Sequence, residues 1–272
     1  MATLLFYEKP VPLNVDVHLK TRLGSLGTNV GFAASTNSVP LATVEFIDTA
    51  REYPIAFTGK EGGVLFPIAL VGVRQNENLF VTAENRWDGR YIPAFVRRYP
   101  FVLAEKQGAD DFNVYIDEAY SGFGAADGER IFTDDGEHTA LLKQALEFLG
   151  NYQGEITRTR LFVERLQSLD LLIPRVLEVV RNDEPPLVLQ GFSVVDEQRL
   201  AALADADLLA LARDGYLALI YAHLGSLGNV ARLSEKLESR LANAIPAADA
   251  AVLESGPAAK KKRGNGKEVQ AD

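Results

Sequence analysis

Between Asn85 and Phe101 the chain gathers residues suited to gripping an anion or a partner's side chain. These seventeen residues hold Trp87, the sole tryptophan, together with Tyr91, Phe95, Tyr99 and Phe101 and four arginines, Arg86, Arg90, Arg97 and Arg98. A guanidinium offers paired N–H donors to a carboxylate or phosphate, and flanking aromatic rings add contact area. The candidate binding residues are therefore Trp87, Tyr91, Arg97, Arg98 and Tyr99. A plainer role competes for the same residues. Cations at the end of a short helix balance its dipole, and arginines also pair with acidic surface groups. Residue types alone leave both roles open.

Catalytic constellations are thinner. The three histidines are His18, His138 and His223. None has a carboxylate two residues after it, as a common non-haem iron pattern requires. No pair of histidines stands at i and i+4 with a glutamate beside the first, as in zinc proteases. The chain has no cysteine, which excludes thiol nucleophiles, disulfide frameworks and zinc ribbons. No phosphate-binding loop, dinucleotide fingerprint or G-x-S-x-G elbow is present. Neither a cofactor nor a metal site is expected, and no residue is assigned a catalytic role. The alternative is a metal-dependent, oxygenase-type enzyme, or its companion, built on the dispersed histidines. In the plainer reading His138 sits in the exposed first turn of a helix and His223 is partly packed.

The elements that must position these residues fall into two stretches. Residues 1–40 are broken by Pro10, Pro12 and several glycines and read as irregular. Residues 41–117 read as strand-rich, with strands at Pro54–Phe57, Phe101–Ala104 and Phe112–Ile116. Phe66–Val73 and Leu79–Val81 read as a hairpin around a polar turn. A short helix over Ile92–Arg98 is bounded by Pro93 and Pro100. From Asp134 the apolar period becomes helical, capped by Asp134 or Asp135 and interrupted at Gly150 and Gly154 before a second helix to Leu169. A second hairpin joins Val176–Val180 to Leu187–Val195. Asp196 and Asp205 read as N-caps of two short helices, with Gly215 closing the second. Leu217, Ile220, Leu224, Leu227, Val230, Leu233, Leu237 and Leu241 form one stripe along a long last helix, weakened at Gly225 and Gly228. That stripe is also a surface on which two copies could associate. The architecture expected is α+β: a mixed or antiparallel sheet in the N-terminal half and helices in the C-terminal half.

Composition sets the limits. The chain has 272 residues, 28 Lys+Arg against 37 Asp+Glu, and a net charge of -9. After Pro246 the composition turns to Ala, Gly and Lys, so 1–246 is expected as one domain and 247–272 as a disordered tail. Without the tail, 23 basic and 33 acidic residues remain, a net charge near -10. Such a body offers no broad nucleic-acid surface. The first apolar run stops at Glu8 with no Lys or Arg before it, unlike a secretory signal. No apolar stretch approaches the ~20 residues that span a bilayer. The expected address is the cytoplasm and the expected partner another protein.

The segment Trp87-x-x-x-Tyr91-Ile92-Pro93-Ala94-Phe95-x-Arg97-Arg98-Tyr99-Pro100-Phe101 resembles the SapC family of bacterial proteins. Similar pieces are Tyr53-Pro54-Ile55-Ala56-Phe57, Asn78-Leu79-Phe80-Val81, Val195-Asp196-Glu197, Tyr221-Ala222-His223-Leu224-Gly225-Ser226-Leu227, and His18 after Pro10-Val11-Pro12-Leu13. The resemblance extends over about residues 5–235. It is not to the peptide-transporter permease of the same name, which spans membranes. It implies an association with bacterial surface-layer proteins or their export, and brings no catalytic residues. An accessory role inside the cell fits a chain without an export signal better than a subunit of the layer.

Overall fold

The computed structural model describes residues 5–24, 29–60, 62–105, 112–179 and 185–244. In chain order the elements are β1 (Pro10–Pro12), α1 (Val15–His18), β2 (Arg22–Leu23), β3 (Ser38–Pro40), α2 (Phe46–Thr49), β4 (Ile55–Thr58), β5 (Phe66–Leu70), α3 (Ala94–Arg97), β6 (Phe101–Glu105), β7 (Phe112–Asp117), β8 (Glu129–Arg130), α4 (Ala140–Ser168), β9 (Leu172–Val179), β10 (Leu187–Val195), α5 (Glu197–Ala201), α6 (Asp205–Arg213), α7 (Tyr216–Ser226) and α8 (Val230–Ala244). The architecture is α+β, as expected. The tail expected after Pro246 lies outside the described residues. No helix among the described residues is long and apolar enough to cross a membrane.

Two antiparallel sheets carry most of the strands. One runs β3-β5-β4-β10-β9 and the other β1-β7-β6. Pro10 and Pro12 lie on β1 at a sheet edge, where a residue without an N–H breaks no ladder. The larger core lies between the five-stranded sheet, the second half of α4 (Phe162, Val163, Leu166), α7 and α8. A second core surrounds Tyr99, Phe101, Ile116 and the first half of α4 (Leu142, Leu149). One helix thus serves both cores.

Three local features differ from expectation. First, Gly150 and Gly154 do not interrupt α4, which runs unbroken and is capped by Thr139, whose hydroxyl accepts from the Leu142 N–H. Each interior glycine costs about 1 kcal/mol. Burial of Leu142, Leu149, Phe162, Val163 and Leu166, at about 1.5–3 kcal/mol each, outweighs that. A Cβ added at either glycine would meet open space. Gly150→Ala and Gly154→Ala are therefore each expected to raise stability by about 0.5–1 kcal/mol, measured by urea unfolding.

Second, Phe66–Val73 does not form a hairpin with Leu79–Val81. β5 pairs with β4 and β3 instead. One backbone bond does cross between the two runs, from the Leu79 N–H to the Val71 carbonyl at 2.8 Å, and the Phe80 carbonyl accepts the Asp88 N–H at 2.7 Å; side chains meet much of the rest. Asn78 donates to the Ala33 carbonyl and accepts from the Phe80 N–H. Arg240 of α8 donates to the carbonyls of Asn78 and Val81. Third, Ala204 rather than Asp205 stands at the N-cap of α6, with Asp205 in its first turn. The other late features hold. Asp196 caps α5, Gly215 has a left-handed φ of 75°, and the last helical stretch tightens to a 3-10 turn at Leu227–Asn229. Its apolar stripe packs into the larger core of the chain itself.

Candidate binding site

The Trp87–Phe101 segment is held from below by two buried glutamates. Glu45 is three residues past Ala42 and its Oε2 accepts the Ala42 N–H at 2.8 Å, as a capping glutamate does. Its Oε1 accepts the Tyr91 hydroxyl at 2.8 Å and the Ala94 N–H at 2.6 Å. Burial pushes the Glu45 carboxyl up from its ordinary range, against the pull of those three donors. Glu52 accepts the N–H groups of Arg90 and Tyr91 on Oε2, at 2.7 and 2.9 Å, and its Oε1 pairs with Arg232 of α8 at 3.1 Å. Buried charges persist where donors surround them, and here the donors are the backbone of the segment itself.

The aromatic members complete the frame. Trp87 Nε1 donates to the Tyr53 hydroxyl at 2.9 Å and to the Tyr91 carbonyl at 3.1 Å. Tyr53 donates to that same carbonyl at 2.5 Å. Lys236 of α8 pairs with Asp88 at 2.6 Å. Tyr99 faces the other core, where its ring stacks on Phe32 and its hydroxyl donates to Asp117 Oδ2 at 2.9 Å. Asp117 also accepts from the N–H groups of Glu8, Lys9 and Ala119. Trp87, Tyr91 and Tyr99 are thus tied into the fold by hydrogen bonds of their own.

Arg97 and Arg98 are held more loosely: Arg97 donates to the Tyr91 hydroxyl at 3.3 Å, and the Arg98 side chain hydrogen-bonds Tyr7. Arg97 is exposed; its Nε donates to the Ile92 carbonyl and its guanidinium lies over the rings of Tyr91 and Phe148, 5.6 and 5.2 Å from their centroids. Arg98 lies 3.8 Å over Phe95 and 5.6 Å from the Tyr152 centroid. Neither has a carboxylate within ion-pair distance among the described residues. The Nε of Arg98 is buried with no hydrogen-bond partner, and so is the hydroxyl of Tyr152. Both residues line a cavity of about 400 Å³ between α3, α4 and the start of β5. A second cavity of about 200 Å³ opens beside Arg97, Arg98 and Phe148. The arrangement can hold an anion at the arginines and apolar groups on either side.

Sequence reasoning missed Glu45, Glu52, Phe148 and Tyr152. Alanine at position 42 has no capping side chain, so the local sequence carried no capping signal for Glu45. Phe148 and Tyr152 are four apart on one helix and stack at 6.4 Å, an aromatic pair at helical spacing.

The histidines are absorbed elsewhere. His18 accepts from the Asn14 N–H on Nδ1 at 3.0 Å, and its Nε2 lies 3.4 Å from Glu118. His138 is exposed, ahead of α4 rather than in its first turn, and lies 5.6 Å from the Phe132 ring. His223 is fully rather than partly buried and joins two strands. Among the described residues no three His, Asp or Glu side chains come together as a metal site requires.

Neither the curated proteins nor the solved structures contain a match to this sequence. A protein-family model does match, the one described as SapC, over residues 13–233. That span takes in both sheets' central strands, the Trp87–Phe101 segment with its two glutamates, and the histidine of α7. The chain belongs to the SapC family.

Proposed function

We propose that the chain is a non-catalytic accessory protein of the bacterial cytoplasm that binds a partner protein during surface-layer or surface-protein export, and that the arginine pair on α3 is its contact. The observation that carries this reading is the pair itself. In a chain of net charge -9, two adjacent arginines lack a carboxylate partner among the described residues. They are backed by Phe95, Phe148 and Tyr152. Rigid aromatic backing and guanidinium charge not neutralised by a carboxylate partner are what an interface anchor needs. The remaining members of the segment fix α3 in place, so the arginines are presented on a firm support. Residues 1–246 act as one unit in this reading.

A photo-crosslinking amino acid at Phe148, introduced into the chain in its source cells, tests it. The expected result is a crosslink to an exported surface protein or its export machinery, lost in Arg97→Ala/Arg98→Ala. Equal crosslinking with and without the arginines, or crosslinks only to unrelated cytoplasmic proteins, would count against it.

A further inference from the structure

Tyr91 stands between a surface cation and a buried carboxylate. Its hydroxyl donates to Glu45 Oε1 at 2.8 Å and accepts from Arg97 Nη2 at 3.3 Å. Arg97 is exposed, whereas Glu45 is 3% exposed. Burial, and the Glu45 carboxylate beside it, keep the Tyr91 hydroxyl protonated far above neutral pH. Donation therefore runs from Arg97 through Tyr91 to Glu45.

Charge at one end of this chain acts on the other. Burial raises the Glu45 carboxyl from its ordinary range, and the Arg97 charge is among the influences that hold it down. The remaining groups around Glu45 are fixed by the fold. The Ala42 and Ala94 N–H groups donate to it. From α4, Tyr152 packs against Ala42 and Ala94, and burial keeps its hydroxyl protonated. Arg97 is the member of this set that solvent and a partner can reach. Its donation into the Tyr91 oxygen also polarises the O–H that Glu45 accepts. A carboxylate seated on Arg97 would cancel the field of the guanidinium and compete for the Nη2 that Tyr91 uses. Both changes favour the uncharged form of Glu45. Its Oε2 receives one donor among the described residues, the Ala42 N–H, which leaves a lone pair to take a proton from solvent.

We propose, on the reading of Arg97 as the partner's contact, that Arg97, Tyr91 and Glu45 couple that contact to a buried proton: a partner carboxylate that seats on Arg97 is accompanied by proton uptake at Glu45. The bound state then holds more proton than the free state, so the contact tightens as pH falls through the Glu45 range. Arg97→Gln removes the charge without any partner. The ¹³C shift of the Glu45 carboxyl, assigned by its absence in Glu45→Gln, follows the proton through a pH titration of the full chain. Glu45 is expected to bind its proton at least about threefold more tightly in Arg97→Gln than in wild type, as a carboxylate that loses a nearby cation does. In a Tyr91→Phe background the same substitution is expected to change proton affinity by less than about twofold, because the hydroxyl joining the two ends is gone. Should Tyr91→Phe fail to fold, the ¹³C shift of Tyr91 Cζ replaces it and is expected to titrate together with Glu45 in wild type. An unchanged Glu45 titration in Arg97→Gln, an equal change with and without the Tyr91 hydroxyl, or a Tyr91 Cζ shift indifferent to the Glu45 proton would each overturn the proposal. An unmoved Glu45 beside an intact Phe148 crosslink sinks the coupling alone, and a failed crosslink beside a moved Glu45 sinks the partner reading alone.

Discussion

Replacing His223 with alanine is expected to cost about 3–5 kcal/mol at pH 7, and most of that cost is expected to vanish as the pH falls to 4. Phe57 of β4 pairs with Ser193 of β10, a register that sets Ile55 opposite Val195. Those two residues do not bond directly, because the His223 ring stands between them. Its Nε2 accepts the Val195 N–H at 3.0 Å, and its Nδ1 lies 3.0 Å from the Ile55 carbonyl. The accepting Nε2 places the ring proton on Nδ1, which donates. Ser226, three residues on, accepts the Ile55 N–H at 2.9 Å. One face of α7 thus supplies what a neighbouring strand would. Alanine leaves a cavity and two unpaired backbone groups in the core, which sets the size of the loss.

The pH dependence comes from the same contacts. Burial pushes the His223 pKa down from its ordinary 6.5 to about 4, and a protonated ring would also set an N–H against the Val195 N–H. The unfolded chain binds this proton from pH 6.5 downward while the folded chain does not. The contribution of His223 is therefore complete above pH 6.5. It falls by about 1.4 kcal/mol per pH unit toward pH 4, a total of about 3 kcal/mol. Glu45 titrates in the opposite sense: its raised pKa means the folded state takes up a proton first, so stability is gained as pH falls through that window. Subtracting the urea stability of His223→Ala from that of wild type, at each pH, isolates the histidine. Fluorescence of Trp87, the sole tryptophan, is a ready probe. A difference that stays constant from pH 7 to pH 4 would rule out this role for the ring.

The second large effect is expected at Glu45. Glu45→Ala leaves the Ala42 N–H, the Ala94 N–H and the Tyr91 hydroxyl without their acceptor. Each orphaned donor costs about 1–3 kcal/mol. The three share one site, so the effects do not add, and a total of about 3–5 kcal/mol is expected. Glu45→Gln is expected to fall between wild type and alanine, since its amide meets donors where the carboxylate met them as an acceptor. Because Ala94 opens α3, both variants are also expected to loosen Arg97 and Arg98. Faster amide hydrogen exchange confined first to residues 90–98 would confirm that order, and unchanged exchange there would refute it.

How much of the fold and the site was legible in the sequence depends on how far apart the partners lie. The apolar run over Leu187–Val195 indicated β10, and Asp196 and Gly215 marked their helix ends, because turns and caps are local chemistry. The crowding of Arg, Trp and Tyr between Asn85 and Phe101 singled out the segment at once. It did not sort the residues that fasten it from those that face outward. That sorting rests on Glu45 and Glu52, which lie 38 to 49 positions before the groups they bind. The glycines of α4 misled for a related reason: local propensity predicts a break, and two distant cores override it. The same holds around Leu79–Val81, where the carbonyls of Asn78 and Val81 are taken by Arg240, some 160 residues later. His223 read as a half-packed histidine because nothing within its own helix reveals that two strands close around it. The pairing of Arg98 with Tyr152 is likewise visible only once α3 lies across α4.

If the Trp87–Phe101 segment is a scaffold whose working face is Arg97 and Arg98, removing both charges should leave the scaffold intact and silence the face. Arg97→Gln/Arg98→Gln separates the two, with urea stability and the crosslink yield from Phe148 measured on the same variant. Stability within about 2 kcal/mol of wild type is expected, since Arg97 is exposed and Arg98, half-buried over Phe95, keeps most of its packing as glutamine, together with loss of the partner crosslink. A variant that keeps its crosslink, or one that loses it only because the fold has collapsed, would contradict that division of labour.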